Sequence, residues 1–315
     1  MGWRVQFLLL SATWGSSFLF IKVLDRHWPA LWVAFGRVAL GAATLLLLAA
    51  LRRERLAFDR RTWLHLLVVA ALFNAIPFAL FAYGEKHVAS IVAGLWNATA
   101  PLWVIVFALA AFPEEHPSPR RVAGLIVGFA GVAVLLGPWH GLHGSELQGQ
   151  LACAGAGVCY GLAWLYTRRH LAGRQSSGIA LSAGQLLCAV VLLGITLPFA
   201  SPPTTHIGPD GLASLLMLGV LGTGVAYLFN YAIIRAAGAT TAATVTYIVP
   251  LFSTLLGVTV LSEPVAWNQP VGAAVLLLGI ALSQGALSAV ARGVGGSGSR
   301  LRLRRPARTH QGSAG

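Results

Sequence analysis

Two prolines stand inside long apolar runs. Pro101 lies in LWNATAPLWVIVFALAAFPEEHP and Pro250 in TVTYIVPLFSTLLGVTVLSEP, and thirteen residues after each comes a glutamate, Glu114 or Glu263. Proline lacks the amide hydrogen that would bond the carbonyl four residues earlier, and inside a helix it costs about 3 kcal/mol. Pro101 therefore frees the carbonyl of Asn97, and Pro250 that of Thr246. Both carbonyls belong to polar residues, and they lie 149 residues apart. Freed backbone groups survive at membrane depth where they are buried in protein or line a wet cavity. One such proline reads as a packing kink satisfied by neighbouring side chains. A matched pair with matched polar partners points to two gating kinks that face a cavity, and the chemistry there is recognition of a small molecule. The glutamates read first as caps that complement the dipole of the helix that follows each, with proton-coupling carboxylates as the alternative.

Arg37 is the most costly residue in an apolar segment, because a charge there needs pairing or water. It either receives a substrate carboxylate or snorkels to the interface and bonds a carbonyl. The other cavity candidates are Trp14, Asn74, Trp96, Asn97, Tyr160, Trp164, Tyr227, Asn230, Thr246 and Tyr247, with Tyr231 beside them. Aromatic walls with a few amides suit a small ligand with an apolar part. Taken singly, the amides read as interhelical glue and some of the aromatics as interfacial belts. No catalytic residue set stands out. His140 and His143 have no third ligand nearby, so no metal site is expected. GAGVCYG places Tyr160 where a nucleotide fingerprint needs glycine, and there is no phosphate loop, so no cofactor is expected. Cys153, Cys159 and Cys188 read as small buried apolar side chains.

These residues sit in a chain of 315 residues of which 57% are hydrophobic and 10% charged. Soluble domains carry about 25% charged residues, so the chain reads as an all-α integral membrane protein. Helices are preferred to a barrel because the apolar runs are long and do not alternate. About 20 residues are needed per crossing. The expected spans are 5–24, 30–50, 63–83, 88–111, 119–137, 148–167, 178–198, 210–232, 238–261 and 268–288. With ten alternating crossings, eighteen basic residues fall on one side, among them Arg52, Arg53, Arg55, Arg60 and Arg61. The other side receives Lys22, Arg26 and Lys86. The positive-inside rule makes the first side cytoplasmic, with both termini inside. The net charge of +13 is thus assigned to membrane orientation and not to nucleic acid. The tail 291–315 is expected to be a disordered basic cytoplasmic segment.

The two prolines belong to a longer repeat. Trp14-Gly15 matches Tyr160-Gly161, Arg37 matches Gln185, and Gly131 matches Gly279. The halves are 1–138 and 148–290. Five is odd, so the second half enters the membrane inverted, and a shared site is expected near the midplane between the halves. The glycines Gly124, Gly128 and Gly131, and the pair Gly157 and Gly161, form small-residue faces for close helix packing, and the chain reads as a monomer or a homodimer.

On Trp14-Gly15, Arg37, Pro101, Glu114, Gly124, Gly131, Pro250, Glu263, Gly272 and Gly279, the chain resembles the EamA-type members of the drug/metabolite transporter superfamily. The resemblance implies ten transmembrane helices as two inverted five-helix repeats in a bacterial plasma (inner) membrane. It implies a secondary transporter of small metabolites, with the lipid bilayer and a small-molecule substrate as partners. Export of amino acids or related compounds is the first expectation. Efflux of drugs or cations, or transport of sugars or nucleotide sugars, is the alternative within the fold. A lipid-active membrane enzyme would need a catalytic cluster at one face. A scaffold would need no inverted repeat.

Overall fold

A computed structural model describes residues 2–111, 118–137, 144–171, 177–203, 207–237, 242 and 244–284. Glu114, His140, His143 and the tail lie outside these residues. The described residues are helical, with no strand among them. The helices are α1 (Trp3–Leu24), α2 (Ala30–Leu51), α3 (Arg60–Glu85), α4 (Ser90–Asn97 and Ala100–Ala111), α5 (Pro119–Leu136), α6 (Gly144–His170), α7 (Gly178–Phe199), α8 (Pro209–Ala237), α9 (Val245–Thr259) and α10 (Asn268–Gln284). Six of them, α1 to α4, α7 and α8, are long and apolar enough to cross a membrane. The protein is a multi-pass membrane protein.

Local chemistry sets several boundaries. Side-chain oxygens of Asp59, Ser118 and Ser177 accept from the amides of Thr62, Arg121 and Ala180, which starts α3, α5 and α7. Gly137 ends α5 in the left-handed region at φ 57°, a conformation open to glycine at little cost. At Pro101, α4 is interrupted at Ala98 and Thr99, just before the proline. The break is satisfied locally: the Trp96 carbonyl accepts from the Thr99 amide (3.0 Å) and from its hydroxyl (2.7 Å). In contrast, α9 runs through Pro250 unbroken. Two helices contain π-turns, at Ala71–Ala75 in α3 and Met217–Val225 in α8.

Glycines set the closest helix contacts. A Cβ on Gly131 would lie 2.3 Å from the Leu276 amide nitrogen and 2.9 Å from the Gly272 carbonyl. A Cβ on Gly279 would lie 2.2 Å from the Gly128 nitrogen and 2.7 Å from the Gly124 carbonyl. The small-residue face of α5 is therefore an intramolecular seam with α10. Gly15 of α1 packs in the same way on Phe252 of α9, and Gly161 of α6 on Trp103 of α4.

The chain turns define two ends of the bundle. At one end Lys22 bonds the Val88 carbonyl (2.8 Å), His27 pairs with Asp210 (3.2 Å) and Tyr83 donates to Gln148 (3.2 Å). We call this the Asp25 end. At the other end Glu54 accepts from Ser177 and His65 meets the Tyr166 hydroxyl (2.8 Å). Arg52, Arg53, Arg60, Arg61, Arg168 and Arg169 gather there, at the ends of α2, α3 and α6.

Gly279→Val places its methyl groups on the Gly128 backbone, which has no flexible side chain to yield. The expected cost is about 1–3 kcal/mol, read as a lower unfolding temperature of the purified protein. An unchanged temperature would contradict the α5–α10 seam.

Candidate functional site

Seven of the residues singled out above border one cavity: Trp14, Arg37, Asn97, Tyr160, Trp164, Tyr227 and Thr246. Ser17, Phe18, Ile21, Phe73, Phe78, Phe81 and Ala100 complete its lining. The cavity volume of about 60 Å³ exceeds what one water needs. It lies among α1, α2, α3, α4, α6, α8 and α9. One wall is a run of aromatic contacts from α1 through α3 to α6. The Phe18–Phe81 ring centroids are 5.4 Å apart, Phe81–Tyr160 6.0 Å, Phe73–Tyr160 5.2 Å and Phe73–Trp164 5.4 Å. Sequence reading found the tryptophans and tyrosines of this wall and missed its phenylalanines, which carry no polar signal and look like ordinary core.

Arg37 is the charged group of the cavity. It is 7% exposed, its guanidinium lies 3.7 Å from the centroid of the Phe78 ring, and its Nε donates to the Thr223 hydroxyl (2.9 Å). Among the described residues no carboxylate forms an ion pair with it. The contact with Thr223 depends on the π-turn of α8. There the Thr223 hydroxyl also donates to the Leu218 carbonyl (3.0 Å), five residues earlier, and so satisfies an acceptor inside the widened turn. One hydroxyl thus holds both the turn and the arginine.

Five candidates do not border this cavity, and one of them, Tyr231, packs against the core built around α2, α3 and α7. Asn74 is fully buried in the π-turn of α3 and donates to the Tyr227 hydroxyl (2.8 Å). Its carbonyl oxygen accepts from Gln185 (2.6 Å). Trp96 donates from Nε1 to Gln150 (2.7 Å), tying α4 to α6. Asn230 is 8% exposed, and its Oδ1 has no partner among the described residues. Tyr247 packs against the core built around α4 and α9. Asn74 and Trp96 act as interhelical ties, which in an apolar segment look the same as ligand contacts until the helices are placed.

Glu263 caps a helix, but not the one expected. Its carboxylate accepts from the amides of Ser90 (2.8 Å) and Ile91 (3.1 Å) and from the Ser90 hydroxyl (2.9 Å). It therefore closes the N-terminus of α4 and not that of α10, which follows it in sequence. The reason is tertiary: α9 packs on α4 through Gly94 against Ser253 and Gly257 against Ile91, which delivers the end of α9 to the start of α4. The cysteines are free, with Cys153 and Cys188 buried.

Among the acids not singled out in the sequence, Glu85 is completely buried. It falls two residues beyond the expected span 63–83, yet α3 continues through it. The signal was local. Lys22 and Asp25 at the end of α1, and Glu85 and Lys86 at the end of α3, bring balancing charges to neighbouring helix ends.

Comparison with known proteins agrees with this architecture. The model of the EamA-like transporter family matches the chain twice, over residues 2–137 and 147–284. Protein PagO of Salmonella typhimurium is 27% identical over 254 residues, covering 80% of this chain and 83% of that protein. An uncharacterized transporter of Archaeoglobus fulgidus is 26% identical over 286 residues, covering 88% of this chain and 96% of that protein. The aromatic amino acid exporter YddG of Ancylobacter novellus is 27% identical over 197 residues, covering 62% and 65%. A solved crystal structure of a protein 20% identical in sequence superposes with a TM-score of 0.64 over 91% of this chain and 97% of that one, which places the two in one fold.

Thr223→Val keeps the shape and removes the hydroxyl shared by Arg37 and the π-turn. It should cost about 1–3 kcal/mol by thermal unfolding, and Thr223→Ser should recover most of the loss. Equal stability of Thr223→Val and the wild type would show that the hydroxyl holds neither partner.

Proposed function

The chain belongs to the EamA-like transporter family, and from that premise we propose a secondary transporter that exports amino acids or related small metabolites by alternating access between two inverted five-helix halves. One observation carries the reading: contacts between the halves occur in exchanged pairs. Arg37 of α2 meets Thr223 of α8, while its counterpart Gln185 of α7 meets Asn74 of α3. Asn74 and Thr223 are 149 residues apart, and each stands in a π-turn. Gly15 meets Phe252 as Gly161 meets Trp103, and Gly131 meets Gly272 as Gly279 meets Gly124. A two-fold relation between halves produces this exchange, and an odd number of helices per half makes it an inverted one. The same relation sets Trp14 against Tyr160 and Asn97 against Thr246, and all four border the cavity.

In this reading the helices make ten crossings, and the arginine-rich end is cytoplasmic with both termini, in a bacterial plasma membrane. The Arg37 guanidinium receives the substrate carboxylate, which supplies the missing counter-charge. The aromatic wall takes the substrate's apolar part, and the side chains and carbonyls of Asn97 and Thr246 meet its polar groups. Pro101 and Pro250 mark the gating segments of α4 and α9. The similarity to an exporter of aromatic amino acids supports both the substrate class and the outward direction. Exchange or facilitated diffusion suffices as the mode of transport.

Counterflow in proteoliposomes tests the proposal. Vesicles loaded with pools of unlabelled amino acids, sugars or amines should accumulate only labelled amino acids from outside. Arg37→Gln should lose most of this uptake while inserting normally. Uptake confined to amines or sugars would refute the substrate class, and no uptake from any pool would refute the transport reading.

A further inference from the structure

The Asp25 end of the cavity carries charges that substrate binding does not use. Ile21 and Phe81 border the cavity. One helical turn beyond each, towards the same end, stand Asp25 and Glu85. Glu85 is completely buried. None of the four carboxylate oxygens of Asp25 and Glu85 has a hydrogen-bond partner among the described residues.

The neighbouring groups are already engaged. The Lys22 ammonium donates to the main-chain carbonyls of Glu85 and Val88, and to neither carboxylate. Glu263 is bound to the start of α4. His27 is paired with Asp210 at the start of α8. Arg37 on α2 is bound to Thr223. Cys153 on α6 lies against Gly84, where a Cβ would be 2.5 Å from its Sγ. Lys86 donates to the Trp28 carbonyl (3.1 Å), and His87 follows it in the chain. The charges acting on Glu85 are, in decreasing order, those of Asp25, Lys22, Glu263 and Arg37.

A carboxylate ion without donors in dry protein is strongly disfavoured, and two carboxylates side by side resist ionising together. A proton removes both penalties. We propose that Glu85 and Asp25 form a proton-binding pair that latches this end of the cavity: protonated, the end is closed and dry, and loss of the proton charges the pair, draws in water and opens the end. The latch rests on the transport reading, since it operates on the proposed substrate path. The sign follows from the raised affinity for protons. Burial pushes the Asp25 carboxyl up to about 8, against the pull of the Lys86 and Lys22 ammonium groups. The closed state is thus favoured at lower pH and lost as pH rises through that value.

Cys153 is a native reporter, because its fully buried thiol lies against the turn that carries Glu85. The purified protein in micelles is treated with a bulky polar maleimide from about pH 6 to about pH 9, with Cys153→Ala defining the background. Between these limits the wild-type rate should rise about tenfold more than that of Glu85→Gln, whose side chain stays neutral at every pH. An ionised Glu85 beside the thiol slows its reaction through like charge, so a larger rise in the wild type than in Glu85→Gln reports opening against that trend. Equal pH profiles in the wild type, Glu85→Gln and Asp25→Asn would overturn the latch. Infrared spectroscopy of the wild type gives a second test that needs no variant. A protonated carboxyl stretch from Asp25 should be present at about pH 6, where ordinary carboxylates are ionised, and be lost as pH rises through about 8, and its absence at about pH 6 would also overturn the latch. Neither readout needs a substrate, so failure here leaves the transport reading standing, and failure of counterflow leaves the latch measurable.

Discussion

The structure is organised around a guanidinium that keeps its charge in every state of the protein and is 7% exposed inside a membrane-embedded bundle. At the centre of a membrane helix such a charge costs about 2.5–3.5 kcal/mol on insertion scales. The protein holds Arg37 by one neutral hydroxyl and the face of one ring. Neither neutralises it. The arrangement fixes the position of the arginine at the edge of the cavity, which is why the proposed function gives it a small anion as partner. The aromatic wall then supplies apolar contact area for the rest of that molecule.

The same constraint explains the pairing of the halves. The position related to Arg37 is a glutamine, so the two crossed contacts share a geometry and differ in charge. Gln185 closes a fully neutral set with Asn74 and Tyr227, which has no need of a ligand. Arg37 with Thr223 keeps an unneutralised charge. In the proposed inverted repeat, one of two equivalent places is thus a neutral tie and the other an arginine bordering the cavity. The π-turns serve both, because each adds a residue to its helix and carries a polar side chain towards the opposite half.

Much of this was legible in the sequence for a simple reason. A bilayer forces long apolar helices, so Trp3–Leu24 or Ala30–Leu51 could be drawn almost to the residue. The relation of Trp14 to Tyr160 and of Asn97 to Thr246 was visible as spacing, and these four residues do meet at one cavity. What stayed hidden depended on contacts between distant segments. The helix capped by Glu263 lies about 170 positions away in the chain. Asn74 and Trp96 were indistinguishable from cavity residues because an amide or indole inside an apolar helix shows only that it needs a partner. Glu85 was overlooked because apolar runs stop at charges, while helices do not.

In the proposed function, Arg37 offers its positive charge to a carboxylate inside an aromatic-walled cavity. Thermal unfolding of the purified protein with graded amounts of amino acids, and of the amines that lack only their carboxylate, tests this most directly. A ligand at about a hundred times its dissociation constant adds about 2.7 kcal/mol of stability. An amino acid with an apolar side chain should raise the unfolding temperature of the wild type, its amine should not, and Arg37→Gln should abolish the response. An equal rise with the amine, or a full response in Arg37→Gln, would contradict that role of Arg37.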